Sequence, residues 1–139
     1  MEEKGIKGCE HPRIFTPPLR KLTPDTSVGF EIIEFAESVL EIKLHPWQKW
    51  LLIHAFEVVD DPVDGWKFRF RTVLVEVARQ NGKTTLGCVI ALFFLYQLEV
   101  NLVLGTAQDI SNAEDTWQAC VDMAENNEQL RDAIEHIWY

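Results

Sequence analysis

The sequence predicts an α/β fold with a parallel sheet, and three observations lead to that prediction. Segments with helical periodicity alternate along the chain with apolar, β-branched runs, which is the order that builds parallel sheets. Residues 73–77 are nearly all apolar, as expected of a strand that is buried on both faces. The helix that follows, at residues 84–97, is apolar on almost every side, which indicates that other elements cover it.

The first elements are an extended arm and two helices. Residues 1–22 are proline-containing and lack periodicity, so we predict an arm without regular structure. Thr23 is a suitable N-cap and Pro24 a suitable first helical residue, so a helix is expected to start here. Its apolar stripe at helical spacing consists of Val28, Ile32, Phe35, Val39 and Ile42. Pro46 opens the second helix, and residues 60–65 form a turn ahead of the strand.

The elements after the apolar helix are a second strand and two further helices. Residues 101–105 have the composition of a second buried strand. Asp109 or Ser111 is expected to cap a helix that runs to about Ala124. The side chains expected to face inward from it are Ala113, Trp117, Cys120, Val121 and Ala124. A last short helix is predicted at about residues 127–134.

Composition and charge limit the classes of function. The 139 residues are 47% hydrophobic and 25% charged, as in ordinary globular proteins. No run approaches the about 18 apolar residues of a membrane span, and the N-terminus lacks a secretory signal, so we expect a cytoplasmic protein without a membrane partner. Cys9, Cys88 and Cys120 lack the spacing of a disulfide framework or a zinc site. The net charge of −9 argues against a self-contained DNA-binding module.

The segment between the first strand and the apolar helix has the pattern of a phosphate-binding loop. Backbone N–H groups of such a loop and the positive end of the helix dipole together hold a triphosphate. Gly82 would let the backbone approach the phosphates, Lys83 would meet the β- and γ-phosphates, and the Thr84 hydroxyl would bind Mg²⁺. The common pattern has a glycine five residues before Gly82, where this chain has Val77.

Three segments of the chain carry a resemblance to one family. Ala78-Arg-Gln-Asn-Gly-Lys-Thr84 resembles the variant nucleotide loop of phage terminase large subunits, which replace the leading glycine and carry Arg-Gln before Gly-Lys-Thr. His45-Pro-Trp-Gln48 is similar to the segment that precedes the loop in that family. Leu104-Gly-Thr-Ala-Gln108 looks like the strand-to-helix motif that follows the loop helix. The resemblance extends over about residues 23–139, in the family's order.

This resemblance implies an ATPase that, as a homo-oligomeric motor in the host cytoplasm, drives viral DNA into a capsid. Double-stranded DNA, the portal protein and the terminase small subunit are the implied partners, and ATP and Mg²⁺ the implied cofactors. Gln48 would contact adenine, Arg79 would sense or stabilise the γ-phosphate, and Thr84 would hold the metal. The residues expected at the nucleotide are Gln48, Ala78, Arg79, Gln80, Asn81, Gly82, Lys83, Thr84 and Thr85.

The chain also departs from the family pattern. No later strand ends in Asp-Glu, and the nuclease carboxylates have no match. Residues 23–139 are therefore expected to be the N-terminal portion of a P-loop ATPase domain with an incomplete sheet, which alone hydrolyses little ATP. Another P-loop NTPase, such as a helicase-like translocase, and a non-catalytic fragment that binds a partner are the alternatives. Helix capping by Gln48, and an ion pair of Arg79 with Glu76, are the alternative roles of those side chains.

Overall fold

A computed structural model describes residues 9–134 of the chain. Its elements are α1 (Gly29–Glu34) with a π-helical turn (Phe35–Val39), α2 (Pro46–Ala55), β1 (Val58–Asp61), β2 (Gly65–Phe68), α3 (Lys83–Tyr96), α4 (Ile110–Glu125) and α5 (Glu128–Arg131). The chain divides into two compact units. Within residues 9–134, the first unit contains residues 9–33 and Leu44–Val73, and the second contains Glu34–Lys43 and residues 74–134.

The prediction of a parallel sheet of the P-loop type is wrong. The sheet within residues 9–134 has two strands, β1 and β2, and they are antiparallel, with Val58 opposite Phe68. Both runs predicted as buried strands, residues 73–77 and 101–105, lack strand pairing, and Leu74 is 91% exposed. A strand requires neighbours that satisfy its backbone N–H and C=O groups, and an apolar, β-branched composition does not supply those neighbours.

The predicted turn at residues 60–65 is part of the β1–β2 hairpin. The Oδ1 atom of Asp61 accepts hydrogen bonds from the N–H groups of Val63 (2.9 Å) and Asp64 (3.1 Å). Gly65 leaves the turn with a φ of 82°, a left-handed conformation that glycine adopts without steric cost. The Lys67 Nζ atom lies 3.0 Å from Asp61 Oδ2, across the hairpin. A single carboxylate therefore organises both the turn and the strand pair.

The stability of this hairpin is expected to depend on the ionisation of Asp61. The hydrogen bond from Lys67, followed by those from Val63 and Asp64, lowers the pKa of Asp61 from 3.8 to about 2. The pKa of Asp61 is lower in the folded state than in the unfolded state. The stabilisation of the hairpin by the Asp61 carboxylate is therefore complete above pH 3.8 and is lost as the pH falls through about 2. An NMR titration of the Asp61 carboxyl group measures this pKa. Asp61→Asn should remove that part of the pH dependence, whereas Asp60→Asn on the neighbouring exposed residue should retain it.

Helix α1 starts later than the sequence predicts. Thr23 does not cap a helix: its N–H donates to Thr26 Oγ1 at 2.7 Å, which closes a separate turn, and the helix begins at Gly29. The start of α1 lies against the end of α2, where Ser27 Oγ donates to the carbonyl oxygen of Ile53 at 2.6 Å. The first unit is built around this contact, and its buried apolar side chains are Val28, Ile32, Leu44, Leu52 and Val58.

The second unit is a helical cluster around α3. The apolar residues of α3 that are buried are Leu86, Cys88, Val89, Leu92 and Phe93. Phe35 makes an edge-to-face contact with Phe93, with a ring-centroid distance of 5.7 Å. Asp109, one of the two residues predicted for this role, caps α4 by accepting the N–H of Asn112 at 2.9 Å. Of the α4 side chains expected to face inward, Ala124 is buried and Trp117 is 41% exposed.

Candidate phosphate-binding loop

The loop predicted to bind phosphates links a segment without regular structure to the start of α3. Residues 72–78 have no regular structure, the loop follows, and the helix begins at Lys83. Gly82 occupies the N-cap position with φ 84° and ψ 24°, a left-handed conformation that is unfavourable for residues with a Cβ atom. Gln80 also has a positive φ, 61°. These two residues turn the chain sharply into the first turn of α3.

Two side chains of the loop donate hydrogen bonds back to its beginning. Lys83 Nζ donates to the carbonyl oxygen of Val77 at 2.7 Å, and Asn81 Nδ2 donates to that of Ala78 at 3.2 Å. The Lys83 side chain therefore reaches back from the first residue of α3 to Val77, the residue that precedes the loop. The charge of the Lys83 ammonium group adds to the partial charge of about +0.5 at the N-terminus of α3. Positive electrostatic potential is therefore concentrated at the loop.

The loop residues are accessible from solvent. Gly82 is partly exposed, and the remaining predicted contact residues of the loop are exposed, namely Ala78, Arg79, Gln80, Asn81, Lys83, Thr84 and Thr85. Thr84 and Thr85 lie in the first turn of α3, where the N–H groups have no intrahelical acceptor. N–H groups, an ammonium group and a hydroxyl are the donor set that a triphosphate with Mg²⁺ requires, so the residues present fit that ligand.

Gln48 belongs to a different part of the fold. It is a buried residue of α2 in the first unit, and its Oε1 atom accepts the N–H of His45 at 2.8 Å. His45 and Gln48 form a reciprocal capping box at the start of that helix, so the capping role considered above is present. Contact of Gln48 with adenine stays a prediction. Arg79 and Glu76 are both exposed, and the two roles considered for Arg79 stay open.

Sequence reasoning overlooked the contribution of Val77. Its carbonyl oxygen, and not its side chain, holds the Lys83 ammonium group, so no side-chain pattern identifies it. The sequence places Val77 at the end of a predicted strand and at the position of the glycine in the common loop pattern, and neither feature indicates a role for its carbonyl group. A valine is compatible with this role because its carbonyl group is the same as that of any other residue.

The surroundings of the loop do not suggest a metal cluster. Within residues 9–134, no three His, Cys, Asp or Glu side chains are grouped so that they could hold a metal ion. None of the helices in this part of the chain is long and apolar enough to cross a membrane.

The chain has no match among protein families, curated proteins or solved structures. The resemblance to terminase large subunits therefore rests on the quoted residues.

Proposed function

We propose that the loop of residues 78–85 binds the phosphates of ATP together with Mg²⁺, as the nucleotide-binding part of a DNA-packaging ATPase of the terminase large-subunit type. One observation carries the proposal. At the start of a 14-residue helix, the Lys83 ammonium group lies across a solvent-accessible loop and donates to the Val77 carbonyl oxygen. This arrangement presents a cation and a helix N-terminus at the same place.

Each residue would act through its own donor group. The Lys83 ammonium exchanges its bond to the Val77 carbonyl for bonds to the β- and γ-phosphates, which are stronger because both partners are charged. The N–H groups at the start of α3 donate to phosphate oxygens, and the Thr84 hydroxyl holds Mg²⁺. When bound, Mg²⁺ neutralises phosphate charge. Arg79 would stabilise the γ-phosphate.

Isothermal titration of the full chain with Mg-ATP tests the loop directly. Lys83→Ala removes a charge-assisted interaction worth about 1.5–3 kcal/mol, which corresponds to a roughly 10- to 100-fold increase in Kd. Lys43→Ala is the matched control, because Lys43 is an exposed lysine of the same unit that lies outside the loop. Its Kd should remain within about twofold of the wild-type value, since an exposed charge that is not part of the loop is screened by salt.

Two results of this titration would contradict the proposal. Absence of binding heat from wild-type protein whose circular dichroism shows folded helices would reject nucleotide binding. Equal weakening by Lys83→Ala and Lys43→Ala would show that ATP responds to overall charge and not to the loop. Repeating the titration without Mg²⁺ and with ADP identifies the contributions of the metal and the γ-phosphate. DNA, the portal protein and the small subunit are the partners that this assignment implies.

A second candidate function is partner binding without catalysis. It is favoured by the exposed apolar residues outside the two-stranded sheet, since Leu74 is 91%, Leu102 67% and Leu104 78% exposed. Large exposed apolar surfaces commonly mark interaction sites. A chain that binds no nucleotide but whose Leu74→Asp and Leu104→Asp variants lose a partner would support this function. Nucleotide binding that depends on Lys83 would favour the first.

A further inference from the structure

Gln48 is a buried residue that completes the start of α2. It is 2% exposed, and together with Leu52, one helical turn further along, it makes up the buried face of α2. The Gln48 Oε1 atom accepts the N–H of His45 at 2.8 Å, while the Gln48 N–H group donates to the carbonyl oxygen of His45 at 3.0 Å. The side chain and the backbone of Gln48 are therefore both engaged with the residue that precedes the helix.

Recognition of adenine by an amide side chain needs two hydrogen bonds. The amide oxygen accepts from the N6 amino group of the base, and the amide NH₂ group donates to N7. The Gln48 oxygen already accepts the His45 N–H, and the side chain lies on the buried face of α2. A contact with adenine would require Gln48 to leave that face and to give up the cap, which stabilises the start of the helix. The structure therefore commits Gln48 to capping.

The polar groups of the loop at residues 78–85 address a different part of a nucleotide. The Lys83 ammonium group, the N–H groups at the start of α3 and the Thr84 hydroxyl have the chemistry of phosphate and Mg²⁺ ligands. The phosphates and their bound metal are the same in ATP, GTP, CTP and UTP, which differ in the base. Recognition through this set of groups therefore selects a triphosphate and not adenine.

We propose that the chain binds nucleoside triphosphates through their phosphates and Mg²⁺ with little selection of the base, because Gln48 caps α2 and does not read adenine. The inference rests on the proposed nucleotide-binding function and names its substrate class, which is the magnesium complex of any nucleoside triphosphate. It takes the capping role of Gln48 in place of the adenine contact that the resemblance implies.

Isothermal titration of the full chain with Mg-ATP, Mg-GTP and Mg-CTP tests the proposal. The three Kd values should agree within about threefold, since the shared phosphates and metal supply the binding. A bidentate contact between an amide and adenine would instead favour ATP by roughly 5- to 150-fold. Lys83→Ala should weaken the binding of all three nucleotides by the same factor, which would show that each of them occupies the loop.

Gln48→Glu separates capping from recognition of the base. Glutamate keeps the oxygen that accepts the His45 N–H, as in a capping box, but it lacks the amide donor that adenine N7 requires. In variant protein with helical circular dichroism, ATP and GTP should bind with equal affinities, as in the wild-type chain. If the variant does not fold, the comparison of nucleotides in the wild-type chain decides the question by itself.

The outcomes that overturn the inference differ from those that overturn the proposed function. Lys83-dependent binding of ATP that is tighter than that of GTP by about fivefold or more rejects the inference alone. Loss of this preference in Gln48→Glu would then identify Gln48 as the adenine contact. Absence of binding by every nucleotide rejects the proposed function and the inference together.

Discussion

Gly29→Ala is expected to destabilise the first unit by about 3 kcal/mol, the upper part of the range for overpacking a filled interior. A Cβ atom at Gly29 would overlap with the carbonyl oxygen of Leu52 and lie 2.6 Å from Cα of Ile53. Both contacts are with backbone atoms of α2, so no side-chain rotation relieves them. The two helices would have to separate, which would also lengthen the bond between Ser27 and the Ile53 carbonyl group.

Urea unfolding monitored by tryptophan fluorescence measures this effect. The matched control is Gly87→Ala on α3, where an added Cβ atom would meet nothing within 4 Å. That substitution should stabilise its helix by about 0.5–1 kcal/mol, because alanine has the higher helix propensity. If both variants unfold at the wild-type urea concentration, α1 and α2 do not approach each other as closely as described.

Arg69→Met is the second substitution with a large expected effect, about 3–5 kcal/mol, because it leaves a buried carboxylate without its counter-ion. The Glu57 side chain is 1% exposed, and its Oε2 atom lies 2.7 Å from Arg69 Nη1. Oε1 of Glu57 accepts the N–H of Leu19 at 3.0 Å, and Arg69 Nη1 also donates to the carbonyl oxygen of Pro17 at 2.8 Å. This pair therefore joins the N-terminal arm to the hairpin.

A neighbouring ion pair supplies the control. Lys67→Met removes the partner of Asp61, but the Lys67 side chain is 62% exposed, so the expected loss is below about 1 kcal/mol. The double variant Glu57→Gln/Arg69→Met should recover part of the stability lost in Arg69→Met, since no charge is then left buried. Similar losses in Arg69→Met and Lys67→Met would show that solvent reaches the Glu57 carboxylate.

Local signals allowed several elements to be predicted from the sequence. Pro46 marks the first residue of α2, Asp109 caps α4, and the change from loop to helix occurs at Gly82 and Lys83. Each of these features depends on residues within one helical turn of each other, so the relevant physical chemistry is visible in a short window. The same reason explains why the candidate loop was identified from its residues.

Features that depend on distant partners could not be predicted in this way. Residues 73–77 have strand composition, but pairing requires a second segment, and composition does not specify which one. Glu57 was not recognised as a buried ion because its partners, Leu19 and Arg69, lie 38 and 12 residues away. The contact of the Cys88 Sγ atom with the Thr116 carbonyl oxygen likewise depends on how α3 and α4 pack. The spacing of these residues along the chain does not indicate that they are in contact.

The exposure of the two apolar runs, residues 73–77 and 102–104, has a consequence for the behaviour of the protein at high concentration. Residues 73–77 contain Glu76 and lie between Arg71 and Arg79, charges of the kind that oppose stacking of β-prone segments from different molecules. Residues 102–104 have no such protection, because the nearest charged residues are Glu99 and Asp109. Self-association of the chain should therefore begin at residues 102–104 and increase with salt, which screens the net charge of −9 that keeps the molecules apart.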